Sequence, residues 1–455
     1  VGGDDIEILV SHDIIGRLMI QSARQPGLAQ VLESLLGFKG SEFYLKEWEE
    51  LHGCTFGEIC FRFDDAVPLG IRKAGQPPTL NPPDDLVYEW GDEILVLAED
   101  DDSYCVNDHL PQLADPALDS DMPVGGPERL LFCGWRRDMG DMIMEMDRSV
   151  AKGSALWIIC PIPVAEREDR MAEGGRQGSS GIQNLSLVHK QGNPTLRRDL
   201  EQLPLETFDS VLILADESCE VQSADSRSLA TLLLIRDIQK DRQAELRSSL
   251  SSTSSASGIA AAVKHLGLGA SILRSSSLTT PMASPMPGAS ADESPNMASW
   301  RRKSIESEAA GLAASTSVLQ LMADKTVSEC VIISEILDSN TRSLISVADV
   351  SDYVMSNEIV SAAIAQVAEQ PEINLVLTEL LSAYGNETYV RDIRFYCAPD
   401  ECLSFWDLAL RARHRSEIAI GYKAVDMKES CLNPENKDEK RVWQFGDALI
   451  VIACS

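Results

Sequence analysis

No apolar run in this chain reaches the roughly 18 residues that a bilayer-crossing helix requires, so the sequence itself contains no membrane span. Its 11 cysteines include no CxxC pair. The closest spacings, Cys54/Cys60 and Cys397/Cys402, suit no zinc knuckle. Cys133, Cys160, Cys330 and Cys454 lie inside apolar runs, as small core residues of a reducing compartment do. Positive charge is scarce: Lys+Arg 40 against Asp+Glu 71 gives −31, which would repel phosphate backbones and excludes a nucleic-acid partner. So strong an acidic excess reads first as a solvated surface, with attraction of cations as the alternative. The six histidines stand apart, and neither HExxH nor GxSxG occurs. No catalytic set is visible and no enzyme is expected. No signal peptide is visible, and the chain opens on Val1 rather than Met, as expected of a piece of something larger.

What is present is a repeat. Ile14 to Tyr44, IIGRLMIQSARQPGLAQVLESLLGFKGSEFY, matches Ile359 to Tyr389, IVSAAIAQVAEQPEINLVLTELLSAYGNETY, at a constant offset of 345 residues. Each copy centres on a proline (Pro26, Pro371) between apolar residues at helical spacing, which predicts helix, turn, helix. The likeness continues downstream. TFGEICFRFDDAVPLGIRK from Thr55 resembles SFWDLALRARHRSEIAIGYK from Ser404, and Leu80-Asn81-Pro82 returns as Leu432-Asn433-Pro434. WGDEILVLA from Trp90 returns as FGDALIVIA from Phe445, a Gly-Asp turn before an aliphatic strand. Two copies of a helical hairpin plus a small β lobe follow from this.

Between the copies, residues 129–240 and 326–350 alternate strands and helices. LLFCGW (130–135), ALWIICPI (155–162), SLVHK (186–190), SVLILAD (210–216) and CVIISEIL (330–337) are the strands. Helical patterns run from Asp141 to Val150 and from Ser226 to Lys240. This order predicts a parallel sheet covered on both faces. Residues 241–325 are rich in Ser, Pro and Ala and are expected to leave the sheet as a disordered surface insert. Within it, Ser304 after Arg301-Arg302-Lys303, and Thr280, Ser284 and Ser294 before prolines, fit kinase sites. GGRQGSSG at 174–181 lacks the Lys-Ser/Thr of a P-loop and reads as a flexible connection.

RLLFCGWRRDMGDMIMEM opens like a dinucleotide fold, but Trp135, Arg136 and Arg137 stand where glycines would let a pyrophosphate approach. The acid that would hold a ribose at the end of the second strand is replaced by Cys160-Pro161. NAD chemistry is therefore disfavoured, leaving an α/β fold suited to sensing. Arg136 and Arg137 either hold an anion or pair with acids at a subunit contact. Asp216, Glu217, Asp225, Glu335 and Asp338 fall at or after the strand ends, where ligands of open α/β sheets bind. As hard oxygen donors they are candidate Ca²⁺ ligands; the bland reading makes them caps and surface pairs.

The blocks GWRRDMGDMI, LPLETFDSVLILADES, DSRSLATLLLIRDIQ, VIISEILDSNTRSLISVADVSDYVMSNEIVS and HDIIGRLMIQSARQPGLAQ closely resemble the CASTOR/POLLUX family of plant ion channels. The likeness covers nearly everything outside the Ser-rich insert and lies in the family's C-terminal regulatory region. It implies tandem RCK domains, each a Rossmann-like N-lobe, a crossover helical hairpin and a β-rich C-lobe. On that scheme 1–38 holds the end of the first N-lobe and the first hairpin, 39–101 the first C-lobe and 102–128 a linker. Residues 129–356 hold the second N-lobe with its insert, 357–386 the second hairpin and 387–455 the second C-lobe.

The resemblance further implies a homotetrameric gating ring, regulated by Ca²⁺, below a cation-conducting pore, with potassium among the expected ions. The nuclear envelope is the implied membrane, and a plastid membrane the other candidate. The chain departs from the family in lacking pore helices and most of the first N-lobe, in its long insert, and in Cys160-Pro161. The competing reading is a soluble RCK/KTN-like regulatory subunit that binds a nucleotide or ion and docks on a separate transporter.

Overall fold

The computed structural model describes residues 11–37, 40–107, 110–111, 126–172, 181–216, 218–251, 330–342, 353–382, 384–427 and 429–454. Over these residues the chain forms two compact units. One is made of Val1–Pro123, Leu337–Arg342 and Asp349–Ser455, the other of Val124–Ile336 and Ser343–Ala348. The Glu217 candidate and the kinase-site serines and threonine lie outside the described residues. So do most of the Ser-rich insert and most of the 174–181 connection. No described helix is long and apolar enough to cross a membrane.

The first unit holds both copies of the repeat. Helices Ser11–Arg24 and Leu28–Leu36 form one hairpin, Ser356–Glu369 and Ile373–Leu380 the other. Pro26 and Pro371 sit in the connections, where a residue without an N–H ends the first helix of each pair. Each hairpin leads into a four-stranded antiparallel sheet with the same strand order. The first runs Glu42–Lys46, Glu93–Ala98, Ala66–Arg72, Pro78–Leu80. The second runs Asn386–Asp392, Ala448–Cys454, Ile418–Lys423, Cys431–Leu432.

The correspondence reaches single residues. The register slips between Pro68 and Gly70 in one sheet and between Ala419 and Gly421 in the other. At both glycines a Cβ would collide with a neighbouring carbonyl oxygen, of Thr79 and Cys431 respectively, so only glycine fits the bulge. The Gly-Asp turns are also alike. Gly91 and Gly446 take φ of 80° and 97°. The buried Asp92 carboxylate accepts from the Glu89 and Ala74 N–H groups at 2.8 and 3.3 Å. Asp447 accepts from Gln444 and Val425, both at 2.9 Å. Thr55 with Glu58, and Ser404 with Asp407, close matching capping boxes.

The copies also exchange contacts. Gln25 and Gln370 occupy the same register. The Gln25 side chain accepts from the Val390 N–H at 2.9 Å, while that of Gln370 accepts from the Leu45 N–H at 3.0 Å. Each hairpin thus plugs an open backbone group of the other copy's sheet. Asn81 and Asn433, both left-handed at φ 45° and 41°, repeat the device. Asn81 donates to the Ser416 carbonyl and Asn433 to the Asp65 carbonyl, each at 2.7 Å. Reciprocal contacts of this kind are the signature of an isologous pair, here built within one chain.

The second unit is built on five parallel strands. Their order is Val331–Ile336, Ser210–Ile213, Arg129–Cys133, Ser154–Cys160, Leu185–Gln191. Every residue of Val331–Ile336 and Ser210–Ile213 is buried, as strands covered on both faces require. Helices Met139–Ser149, Val164–Ala172 and Val221–Ser251 alternate with the strands. Asp147, buried near the end of the first helix, accepts from the N–H groups of Gln183, Asn184 and Leu185 at 3.0, 2.7 and 2.8 Å and so seats the edge strand.

Several strand and helix ends shift by a residue or more from the sequence pattern, two of them for a local reason. The first strand ends at Cys133 rather than Trp135, because Gly134 turns at φ 115°. The last helix runs on past Lys240 to Ser251. Gln243, Ala244, Glu245 and Leu246 are good helix formers and carry the helix into the polar stretch.

Candidate functional site

A cleft of about 660 Å³ opens at the carboxyl ends of the parallel strands, the place where open α/β sheets bind ligands. Gly134 begins it. Its N–H donates to the Ile159 carbonyl at 2.9 Å, and a Cβ there would press on the Leu214 carbonyl at 3.0 Å. Trp135, Arg136 and Arg137 follow and all line the cleft.

The two arginines part ways. Arg136 is 2% exposed and turns inward. One nitrogen, Nη1, donates to Glu335 Oε1 at 2.6 Å, while Nε and Nη2 donate to the two oxygens of Asp138 at 3.0 and 3.1 Å. The second Glu335 oxygen accepts from the Ala215 N–H at 3.0 Å. Asp138 and Glu335 both belong to the same unit as Arg136. Arg137 stands exposed at the cleft.

Of the five carboxylates, Glu217 lies outside the described residues, and among the other four Asp216 alone lines the cleft. It accepts from the Ser218 N–H and hydroxyl at 3.2 and 2.5 Å and from Arg227 Nη1 at 3.0 Å. Partial burial opposes its ionisation, but the Ser218 and Cys219 hydrogen bonds and the Arg227 charge outweigh it and hold the carboxyl below its ordinary range. Asp225 is buried on the helix Val221–Ser251. Glu335 is tied to Arg136. Asp338 caps the 3₁₀ turn Ser339–Thr341, accepting from the Asn340 N–H at 3.0 Å, and belongs to the other unit. Among the described residues no three His, Cys, Asp or Glu side chains are grouped to hold a metal.

Three arginines complete the site without having stood out in the sequence. Arg170 and Arg227 line the cleft from separate helices. Arg167 lies behind its wall, fully buried. Its guanidinium donates to the carbonyls of Ile162, Cys160, Lys190 and Ile158 at 2.8, 2.7, 2.9 and 3.2 Å. It occupies the strand ends where a dinucleotide fold places its ribose-binding acid. Its one legible signal is spacing: it stands four residues before Met171, on the helix face that is buried.

The architecture, a Rossmann-like α/β unit with two crossover hairpins and two β-rich lobes, is that of RCK gating-ring domains. The human SLO3 gating ring shares this fold at TM-score 0.57 and 10% identity, over 98% of this chain and 76% of that one. The chain belongs to the CASTOR/POLLUX family. A family profile described as Castor and Pollux, part of voltage-gated ion channel, matches residues 12–114. The probable ion channel POLLUX of Oryza sativa subsp. japonica is 45% identical over 100% of this chain and 41% of its own length. Ion channel POLLUX of Lotus japonicus is 44% identical over 100% of this chain and 44% of its own. The chain spans less than half the length of these relatives.

Proposed function

We propose that this chain is the gating-ring region of a ligand-regulated cation channel of the CASTOR/POLLUX type, assembled as a homotetramer through RCK contacts and coupled to a membrane pore. The nuclear envelope is the membrane we propose for it. Similarity along the whole of this chain to part of named ion channels supports the channel reading. The observation that carries the regulatory role is the paired-module unit, in which each hairpin holds the other copy's sheet. Such a unit moves as a block, because displacing one lobe breaks backbone hydrogen bonds in both. A ligand drives that block only as far as it binds one state more tightly than the other.

Regulation by Ca²⁺ is the finer part of the reading. The net charge of −31 and the ionised Asp216 at the cleft support it. The test is recording of the full-length channel in bilayers as Ca²⁺ is varied. Open probability is expected to respond, and the response to shrink with Asp216→Asn. A channel that conducts but is indifferent to Ca²⁺ overturns the calcium reading. One that gates unchanged after deletion of this region overturns the gating-ring reading itself.

A further inference from the structure

We propose that Gln21 and Gln366 form a two-position latch between the helical hairpins, in which one of the two amides at a time is bonded to the opposite hairpin. The inference goes beyond the gating-ring reading and does not depend on it.

Gln21 and Gln366 stand at the same place in the repeat, 345 residues apart. Each lies on the first helix of its hairpin, Ser11–Arg24 and Ser356–Glu369. Both are buried, at 8% and 7% exposed. These two helices pack against each other, and Ser356–Glu369 also packs against Leu28–Leu36.

Equivalent residues in equivalent surroundings should bond alike, and these do not. Gln21 Nε2 donates to the Leu380 carbonyl at 3.0 Å, at the end of the helix Ile373–Leu380. The counterpart of Leu380 is Leu35, in the last turn of Leu28–Leu36. Gln366 makes no matching bond: neither its nitrogen nor its oxygen has a hydrogen-bond partner among the described residues. The contrast with Gln25 and Gln370 is direct, since both of those are bonded at once, to Val390 and Leu45. That pair fastens the copies; this one leaves a bond open.

A buried amide without partners is costly, and buried polar groups are nearly always paired. Leu35 offers the missing acceptor, because the carbonyls of a helix's last turn have no partner within that helix. The repeat thus defines a second position of the latch, in which Gln366 donates to Leu35 and Gln21 releases Leu380. Local two-fold symmetry makes the two positions near equals in energy, since each satisfies one amide and strands the other. A modest bias is then enough to exchange them. Gln21 Oε1 and the fully buried Ser22 hydroxyl beside it also lack partners among the described residues, so this interior is not locked by saturated hydrogen bonds.

The test is a mutant cycle on the full chain, read as melting temperature by circular dichroism. Leucine is close to glutamine in size and needs no partner. In the parent chain, Gln366→Leu removes the stranded amide and is expected to raise the melting temperature by about 2–4 °C. Gln21→Leu frees Gln366 to take its bond to Leu35. In that background the same Gln366→Leu change removes a bond in use, and is expected to lower the melting temperature by about 2–4 °C. This reversal of sign is the signature of the latch. Gln21→Met and Gln366→Met repeat the cycle where a leucine variant fails to fold. A rise in both backgrounds identifies an amide that stays unpaired, and a fall in both an amide already held by a buried water. Either result overturns the proposal, as does any cycle without the reversal.

Discussion

The two units use polar side chains for opposite ends. In the paired-module unit, Gln25, Gln370, Asn81 and Asn433 spend their hydrogen bonds on backbone groups of the other copy. Polarity there joins pieces that hydrophobic burial alone would leave free to slide. In the α/β unit, Arg136 and Arg167 are buried beside a cleft, one paired with acids and one with carbonyls. Polarity there shapes a cavity and loads it with charge. The first arrangement suits transmission of movement, the second reception of a ligand.

The largest effects should come from the buried ion pair. Arg136→Met leaves Glu335 charged and buried, and a loss of about 3–5 kcal/mol is expected in urea melts of the α/β unit. Adding Glu335→Leu should recover most of it, since two apolar side chains can replace a buried pair. Failure of the second change to rescue would mean that Arg136 acts through something other than its partner.

Next comes Lys437 in the paired-module unit. Burial outweighs its acidic neighbours Asp65 and Asp64 and pushes the ammonium down to about 8. Its Nζ donates to the Asp64 carbonyl and, at 2.9 Å, to Asn433 Oδ1. The folded value lies below the ordinary 10.5, so the folded chain holds fewer protons between the two. This lysine's own contribution to stability should therefore rise as pH climbs from about 8 to 10.5, by about 3 kcal/mol. Lys437→Met should remove that contribution. A pH profile unchanged by the substitution would contradict the burial of the charge.

The bulge glycines test whether the copies are equivalent. Gly70→Ala and Gly421→Ala each drive a methyl into a backbone carbonyl, and each should cost about 1–3 kcal/mol. Unequal costs would show that one sheet yields where the other does not. The smallest effects concern the exchanged glutamines. Gln25→Ala and Gln370→Ala should each cost about 1 kcal/mol. In a double-mutant cycle they should couple, because both hold the same pair together.

How much of this was legible depended on whether a feature lies along the chain or across it. The hairpins and sheets showed in apolar spacing and in the Gly-Asp turns, because periodicity and turn chemistry are local. The parallel strands showed for the same reason. Gln25 and Gln370 gave no signal, since a polar residue beside a turn proline is unremarkable until its partner, hundreds of residues away, is known. Arg136 and Arg137 drew notice as intruders in a recognisable turn, but their different fates depended on Glu335 and Asp138. Arg170 and Arg227 lie on separate helices, and only the sheet's winding brings them to one cleft. The carboxylates Asp225, Glu335 and Asp338 shared a position relative to strand ends, yet burial, an ion pair and a cap claimed them one by one.

Light scattering of the purified chain at tens of micromolar tests the gating-ring assignment most directly. A mass of four copies, independent of dilution over that range, is the expected result. A monomer throughout would contradict it.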